Sequence, residues 1–283
     1  MNNFRTTIVW LILFGSFSAF GGEVIDFDGN SVKTVGKSGR VLSLAPAITE
    51  LLFHIGADSQ VVGRTDNCNF PESVKQVPSV GSLFPPNLEA ILRTQPDVVV
   101  MTSGSGQLKE KLKALNISIF VVHTQTLDGI GDQIKRLGML TGRQTTANQK
   151  ASAFKDEVDE IRRATPPNRP RVYWEIWTTP LMTTGQNGFV HDIIQAAGGS
   201  NIFEDQAEPW PTVTREAVVR RRPDFIFTVD RKELMSQRAN WVSIMRINPD
   251  RVIQIDNPDI LHRPTPRVLE GLKWVAKSLQ VLK

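Results

Sequence analysis

Short apolar runs and longer stretches with helical spacing alternate along most of the chain. A first hairpin is predicted at residues 24–35, where Asp28-Gly29-Asn30 supplies the turn. Residues 40–44 then form an apolar strand, and Pro46 begins a helix that Gly56 ends. The alternation continues with strands at 61–63, 97–101 and 119–122 and helices at 88–93 and 107–115. Strands that alternate with helices in this way indicate a parallel sheet covered by helices, an α/β fold.

Part of this pattern occurs twice. Residues 88–100 match residues 215–227 at a constant offset of 127, and each copy is a helix that leads through Pro-Asp into a hydrophobic strand. Residues 171–176 resemble the strand at 40–44, and residues 193–199 resemble the first helix and its terminal glycine. Two copies at this separation predict two α/β lobes of one design, not a solenoid.

A long amphipathic helix is predicted between the lobes, at residues 146–165. Its apolar side chains recur at spacings of four and three residues, and prolines at 166, 167 and 170 end it. A single helix is a stiff connection, so we expect the lobes to move little relative to each other. The predicted organisation is an N-terminal lobe at 23–144, a connecting helix at 145–166 and a C-terminal lobe at 167–283.

The first 22 residues have the order of a secretory signal peptide. Arg5 precedes an apolar run at residues 8–14, and small residues follow around Ala19 and Gly21. We expect cleavage after Gly21 or Gly22. The alternative is an uncleaved anchor, but the apolar run is well short of the roughly 20 residues that span a bilayer. No cysteine lies at the boundary to accept a lipid, so the mature protein is expected to be exported, soluble and not lipidated.

Composition and charge argue against several functions. The net charge of +4 over 283 residues is too small to indicate nucleic-acid binding. The single cysteine, Cys68, excludes a disulfide framework and any multi-cysteine metal site. Cys68 is either a nucleophile or, more simply, a small buried loop residue. The chain also lacks the Gly-x-Gly-x-x-Gly, phosphate-loop, Gly-x-Ser-x-Gly and His-Glu-x-x-His motifs, so neither catalysis nor a metal site is predicted.

The four histidines are scattered without the i, i+4 spacing of metal ligands on one helix face. His54 lies near the end of a predicted apolar helix and His123 at the end of a predicted buried strand, where packed or hydrogen-bonded histidines are common. His191 begins a predicted helix. His262 lies in a predicted loop at residues 259–267 and is expected to face solvent or ligand.

The loops that follow the strands are the candidate ligand site, because ligands of open α/β sheets bind outside the carboxyl ends of the strands. These loops combine large apolar side chains with a few polar groups, as clefts for extended organic ligands do. They comprise residues 66–70, 83–86, 102–105, 177–182, 209–211 and 259–263. Trp210 lies between two prolines in such a loop, which favours ligand contact over core packing.

Glu89 and Glu216 occupy equivalent positions of the repeat, in the first turns of their helices. Two interpretations are open. Each acid can compensate the dipole of its own helix, or the two can form a pair of docking points for a two-fold partner that carries arginines.

Several strings resemble one family. They include Arg40-Val-Leu-Ser-Leu-Ala-Pro-Ala-Ile-Thr-Glu-Leu51, Asn87-Leu-Glu-Ala-Ile91, Gly198-Gly-Ser-Asn-Ile-Phe203, Pro209-Trp-Pro-Thr-Val-Thr-Arg-Glu216 and Arg263-Pro-Thr-Pro-Arg267. Over about residues 36–280 the chain resembles the helical-backbone class of periplasmic solute-binding proteins, which serve importers of siderophores, haem and cobalamin. Pro-Trp-Pro followed by Arg-Glu is most similar to the cobalamin-binding members.

The resemblance implies two Rossmann-like lobes with parallel sheets, joined by one long rigid α-helix. It implies a monomeric periplasmic binding protein with no enzymatic activity and no cofactor, which delivers its ligand to an inner-membrane ABC permease dimer. Glu89 and Glu216 would dock on arginines of the two membrane subunits.

The resemblance also implies a set of ligand contacts for cobalamin or a related corrinoid. Trp210, Asp259 and Arg263 fall at matching cleft positions. The remaining predicted contacts are Trp177, Phe84, Asn67 and His262. Aromatic cleft residues of the cobalamin-binding members are replaced here by Asn67, Leu83 and Thr102.

Other ligands and another class of protein remain as alternatives. A ferric siderophore normally requires clustered arginines, for which Arg64 and Arg263 are the candidates. Haem requires an axial ligand, whereas Tyr173, the single tyrosine, reads as a buried strand residue. The rival from another class is an exported hydrolase that uses Cys68 or His262.

Overall fold

The computed structural model describes residues 22–82, 84, 87–104, 106–165, 168–237 and 239–280. All of the predicted signal peptide except Gly22 lies outside the described residues, as do Leu83, Pro166 and Pro167.

The N-terminal half, residues 22–140, folds around a parallel sheet. It opens with an antiparallel hairpin of β1 (Glu23–Ile25) and β2 (Ser31–Lys33). The following elements are β3 (Val41–Ser43), α1 (Pro46–His54), β4 (Val61–Arg64), α2 (Leu88–Arg93), β5 (Val98–Thr102), α3 (Gly106–Ala114), β6 (Ser118–Val122) and α4 (Leu127–Leu140). Short 3₁₀ helices lie at Asp58–Gln60 and Glu72–Gln76. The strand order is β4-β3-β5-β6 and all three pairings are parallel. We call this half the N-terminal lobe.

The C-terminal half, residues 168–280, repeats this plan. Its elements are β7 (Arg171–Trp174), β8 (Trp177–Thr178), β9 (Leu181–Met182), α6 (Phe189–Ala196), β10 (Ser200–Asn201), α7 (Arg215–Arg221), β11 (Phe225–Thr228), α8 (Arg231–Gln237), α9 (Ala239–Met245), β12 (Val252–Gln254), α10 (Asp259–His262) and α11 (Val268–Gln280), with a 3₁₀ turn at Pro249–Arg251. The order β10-β7-β11-β12 is parallel throughout and equivalent to that of the first sheet. We call this half the C-terminal lobe. The long helix predicted between the lobes is α5 (Gln144–Ala164), which lies between α4 and β7 in chain order.

The sequence repeat is visible in the hydrogen bonds of the two lobes. In the N-terminal lobe, the backbone N–H of Arg40 donates to the carboxylate of Asp97 (2.7 Å), and its guanidinium donates to the carbonyl of Gln95 (2.9 Å) at the end of α2. In the C-terminal lobe, Arg171 makes the same two kinds of bond, to Asp224 (2.7 Å) and to the carbonyl of Arg222 (3.3 Å). The arginine before each first strand therefore anchors the end of the repeated helix to its sheet.

The backbone conformation repeats as well. Gln95 and Arg222 both have a φ of 45°, so each repeated helix ends in a left-handed residue before Pro-Asp. This conformation is uncommon for a residue with a Cβ, and its occurrence at the same position of both copies confirms that the two lobes share one design.

A hydrophobic core runs through both lobes without interruption. One cluster of buried side chains contains Ile48 and Leu51 from α1, Ile134 from α4, and Ile193 and Leu272 from α6 and α11. The helix Gln144–Ala164 contributes to the same cluster the four buried side chains of the predicted face, Ala147, Ala151, Phe154 and Val158. Ile161, the fifth, is partly buried against it.

The structure confirms the predicted α/β fold and corrects some local predictions. Residues 259–262, predicted as a loop, form the one-turn helix α10, and residues 177–182, also predicted as a loop, form the antiparallel pair β8–β9. Helices α4, α8, α9 and α11 were not predicted. Within the described residues, no helix is long and apolar enough to cross a bilayer.

Candidate ligand-binding site

Loops from both lobes meet where the parallel strands end. In the N-terminal lobe, the 66–70 loop follows β4 and is joined to the next loop by a hydrogen bond from the Asp66 N–H to the Gly81 carbonyl (3.0 Å). In the C-terminal lobe, the β8–β9 hairpin follows β7 and α10 follows β12. The two sets of loops are connected, because the Arg263 guanidinium donates to Oδ1 of Asn69 at 2.7 Å. Loops at the carboxyl ends of the two sheets are therefore in contact, at the sheet edge where open α/β sheets bind ligands.

Two tryptophans of the C-terminal lobe are exposed in the segments that follow strands β7 and β10. Trp177 is 60% exposed and Trp210 is 41% exposed. The backbone around Trp210 is held in place, since the carbonyl of Pro211 accepts from the Thr183 N–H (3.1 Å) and that of Pro209 from the Gly185 N–H (3.2 Å). Neither indole is packed into the core, so both present apolar surface to solvent.

Of the predicted ligand contacts, the N-terminal lobe supplies one aromatic residue, Phe84, and one polar residue, Asn67. Phe84 is 68% exposed and its backbone N–H donates to the hydroxyl of Ser82 (3.2 Å). Asn67 is exposed in the loop after β4, and Thr102, at the end of β5, is half-buried. Leu83 lies outside the described residues.

Arg263 is occupied by partners within the protein. Besides Asn69, its guanidinium contacts Oε1 of Glu50 (2.9 Å) and Oδ2 of Asp259 (2.7 Å). The side chain is only 15% exposed, whereas Asp259 retains 40% exposure. Asp259 is therefore the more accessible of these two predicted ligand contacts, and Arg263 holds it in position.

Glu50 lies at the centre of these contacts. Its carboxylate, on α1 of the N-terminal lobe, accepts hydrogen bonds from the hydroxyl of Thr265 (3.0 Å) and the guanidinium of Arg267 (3.1 Å) as well as from Arg263. The residue is 4% exposed. Three hydrogen bonds, two of them donated by arginines, compensate the cost of burying this charge.

Sequence reasoning missed Glu50, whereas Asn69 lies within the predicted 66–70 loop. Glu50 is the only acidic residue in α1, Pro46-Ala-Ile-Thr-Glu-Leu-Leu-Phe-His54, and it is flanked by residues of the core. A single carboxylate on the apolar face of a helix requires a cationic partner. That signal could have indicated a buried ion pair, although not the identity of its partner.

His262 does not face solvent as freely as predicted. It ends α10, is half-buried, and its Nε2 accepts a hydrogen bond from the indole N–H of Trp174 (3.4 Å). Burial lowers the pKa of His262, and the nearby Asp259 opposes that shift only in part. His262 differs from the prediction because α10, which was expected to be a loop, turns its ring towards Trp174.

The other three histidines are partly buried, as was predicted for His54 and His123. Burial, followed by the charge of Lys150, lowers the pKa of His54 to about 4. The Nδ1 atom of His123 pairs with the Ser103 hydroxyl (3.1 Å), and burial lowers its pKa. His191 contacts the Asn201 side chain (3.2 Å), and burial lowers its pKa too.

Cys68 and Tyr173 are interior residues, as predicted. Cys68 is 1% exposed, and its sulfur contacts the hydroxyl groups of Thr49 (3.1 Å) and Thr65 (3.3 Å). Tyr173 is fully buried in β7. Among the described residues, no group of three or more histidine, cysteine, aspartate and glutamate side chains could hold a metal ion.

Glu89 and Glu216 lie on equivalent turns of α2 and α7, and both are exposed. The helices begin in the same way, because the side chain of Asn87 caps α2 by accepting from the Ala90 N–H and that of Thr214 caps α7 by accepting from the Ala217 N–H. The pKa of Glu216 lies below its usual value because its carboxylate accepts a hydrogen bond from its own backbone N–H and a second from Thr214.

This architecture matches known proteins over most of the chain. A family model described as periplasmic binding protein matches residues 41–254. The vitamin B12-binding protein of Vibrio cholerae serotype O1 is 28% identical over 247 residues, which cover 86% of this chain and 89% of that protein. The vitamin B12-binding protein of Yersinia pestis is 30% identical over 246 residues, which cover 85% and 86%.

Solved structures of other proteins share this fold over most of the chain. The crystal structure of the periplasmic vitamin B12 binding protein BtuF of Vibrio cholerae matches with a TM-score of 0.77 at 27% identity, covering 87% of this chain and 98% of that one. The periplasmic heme binding protein HutB of Vibrio cholerae shares the fold, with a TM-score of 0.74 at 18% identity over 86% and 99% of the two chains. Because its two lobes contain equivalent parallel sheets and the family model covers more than half of its length, this chain belongs to the periplasmic binding protein family.

Proposed function

We propose that this protein binds cobalamin or a related corrinoid in the cleft between its lobes and delivers it to an inner-membrane ABC permease. The observation that carries the proposal is the pair of exposed tryptophans, Trp177 and Trp210, in the segments that follow strands β7 and β10. A corrinoid presents a large, partly apolar ring system, and exposed indoles on a held backbone offer contact area to such a surface. The similarity to vitamin B12-binding proteins supports the same ligand.

The polar groups of the cleft fit a ligand of low charge. Both arginines that could recognise a ferric siderophore are occupied within the protein. Arg64 donates to the carbonyls of Val74 and Thr65 (both 3.0 Å), and Arg263 is paired with Glu50 and Asp259. Neither guanidinium is free to bind the several negative charges of a siderophore.

Haem fits the described residues less well than a corrinoid. The single tyrosine, Tyr173, is fully buried. His262 borders the cleft, but its Nε2 already accepts a hydrogen bond from Trp174, so this nitrogen is not free to ligate iron.

The remaining parts of the proposal follow from the family and the sequence. Residues 1–22 act as a signal peptide, so the mature protein works in the periplasm. As in the family it resembles, it acts as a monomer, and it carries no lipid anchor. The protein captures its ligand without chemical change, and Glu89 and Glu216 dock it on the two membrane subunits of the permease.

The test is a calorimetric titration of the purified mature protein with cyanocobalamin. We expect one ligand per protein with a dissociation constant between nanomolar and low micromolar, or about −8 to −12 kcal/mol. Haem and a ferric hydroxamate siderophore are the matched comparisons, and both should bind more weakly. No heat and no spectral shift with cyanocobalamin at high micromolar concentration would refute the proposal, and tight binding of haem or the siderophore would identify the alternative.

A further inference from the structure

The guanidinium of Arg263 joins three separate elements. It contacts Glu50 on α1, Asn69 in the loop after β4, and Asp259 at the start of α10. Two of these groups belong to the N-terminal lobe and one to the C-terminal lobe. The position of this one side chain therefore relates the 66–70 loop to α10 across the cleft.

Glu50 is the partner that keeps Arg263 in place. Its side chain is 2% exposed, so its charge is excluded from water and requires the compensation that Arg263 and Arg267 provide. Both arginines and Thr265 come from the other lobe, so the carboxylate is satisfied only when the lobes have this orientation. Asn69 and Asp259, in contrast, are exposed enough to be solvated without Arg263.

We propose that Glu50 is a positioning residue of the ligand cleft, whose carboxylate holds Arg263 and thereby sets the spacing between the 66–70 loop and α10. The proposal rests on the proposed function in one respect, namely that these two segments contact the ligand. Glu50 itself has no role as a ligand contact, because its carboxylate is enclosed by Arg263, Thr265 and Arg267.

The first test compares two Glu→Gln variants in the cyanocobalamin titration. Glu50→Gln keeps the shape of the side chain and removes the charge that holds Arg263, and we expect the dissociation constant to rise at least tenfold. Glu157→Gln is the matched control, because Glu157 on the long helix also pairs with a residue of the C-terminal lobe, Lys273 on α11 at 2.8 Å, but this pair is about half exposed. The control should change affinity less than twofold. Equal affinities of the two variants would overturn the proposal, even if Glu50→Gln melted at a lower temperature.

The second test measures the arrangement of the lobes without ligand. Spin labels at Lys111→Cys on α3 and Lys232→Cys on α8 report the distance between the lobes, and the native Cys68 is too buried to react. Glu50→Gln should broaden or shift this distance distribution, whereas Glu157→Gln should leave it unchanged. An unchanged distribution in Glu50→Gln would overturn the proposal. This readout is valid even if wild-type protein fails to bind cyanocobalamin, so failure of the proposed function can be distinguished from failure of the positioning role.

A third variant covers the case in which Glu50→Gln does not fold. Asn69→Ala alters an exposed side chain and releases the 66–70 loop from Arg263 while leaving the buried pair intact. We expect weaker cyanocobalamin binding, by about threefold to tenfold, with the melting temperature unchanged. Wild-type affinity in Asn69→Ala would contradict the idea that Arg263 positions this loop.

Discussion

Four of the five tryptophans of the C-terminal lobe divide into two environments. Trp174 is fully buried and stacks on Phe227, with ring centroids 4.8 Å apart, and Trp241 is 3% exposed in a second cluster of the same lobe. Trp177 and Trp210 lie at the surface, where about half of each residue is exposed to solvent. A large exposed indole on a fixed backbone contributes little to the core, so the first two tryptophans stabilise the fold and the other two are available to a ligand.

Substitution of Trp210 separates these roles. Trp210→Ala should weaken cyanocobalamin binding by about 1–3 kcal/mol, because it removes exposed aromatic contact area, with little change in melting temperature. Trp241→Ala is the matched control, and it should lower the free energy of unfolding by about 3–5 kcal/mol because it leaves a cavity. Calorimetric titration and thermal melts measure the two effects. A large loss of stability in Trp210→Ala with unchanged affinity would mean that this indole serves packing.

At the scale of elements, the repeated helices α2 and α7 are held at both ends. Side chains of Asn87 and Thr214 cap their N-termini, and Arg40 and Arg171 bond the carbonyls at their C-termini. Each helix is thereby fixed to one parallel strand of its own lobe, α2 to β3 and α7 to β7. Glu89 and Glu216 are exposed on these anchored helices, which gives two carboxylates a defined separation.

A defined separation is what docking on a two-fold partner requires, because both ion pairs can then form together at little additional entropic cost. Replacing both Glu89 and Glu216 by Ala should abolish uptake of cyanocobalamin through the permease, and each single change should give a partial loss. Charge reversal to Arg should be worse than Ala, since like charges would face each other. Glu110→Ala on α3 is the matched control, an exposed acid outside the repeat that pairs with Lys113.

Uptake in cells or proteoliposomes, measured beside equilibrium binding to the isolated protein, checks this prediction. Ligand affinity should remain at the wild-type level in every variant. Each lost carboxylate should change stability little, because it removes only an exposed charge near a helix N-terminus. Normal uptake by the double variant would leave dipole compensation as the whole role of these glutamates.

Helices and strands are predictable from the sequence where their local pattern of apolar residues and turn residues is strong. The repeat was readable because helix, Pro-Asp turn and strand recur in order. Helix α4 was missed although Leu127, Ile130, Ile134 and Leu137 form its buried face, because its three glycines lower helix propensity. Gly138 is required by packing, since a Cβ there would lie 2.2 Å from the Cβ of Ala147 on the next helix. The one-turn helix α10 is too short to show a period at all.

The candidate site was predictable only in part. The strand-end loops and Trp210 follow from local sequence and from the rule that ligands bind at the carboxyl ends of parallel strands. The contact between Glu50 and Arg263 joins residues 213 positions apart. Such a pair depends on how two lobes are oriented, which no local pattern of a single sequence specifies.

At the scale of the whole molecule, polar contacts join the lobes on more than one side. Besides the Glu50 pair, the backbone N–H of Leu127 on α4 donates to Asp192 on α6 (2.6 Å). Arg162, near the end of the long helix, pairs with Asp128 of α4 (3.1 Å) and lies 3.7 Å from Asp192. Together with the shared hydrophobic core, these contacts oppose independent movement of the lobes.

The shared core also predicts how the protein unfolds. The buried faces of α1 and α4 in one lobe and of α6 and α11 in the other belong to one cluster, so unfolding either lobe would expose apolar surface of its neighbour. We expect one cooperative transition in scanning calorimetry, with a ratio of van't Hoff to calorimetric enthalpy near one. Lobes that unfolded separately would give a ratio of about one half.

Two spectroscopic probes can follow the lobes separately. Five of the six tryptophans lie between residues 174 and 274, so fluorescence follows the C-terminal lobe, and hydrogen exchange of β3, β5 and β6 follows the N-terminal lobe. The two probes should report the same midpoint, and distinct midpoints would mean that the continuous core does not couple the lobes.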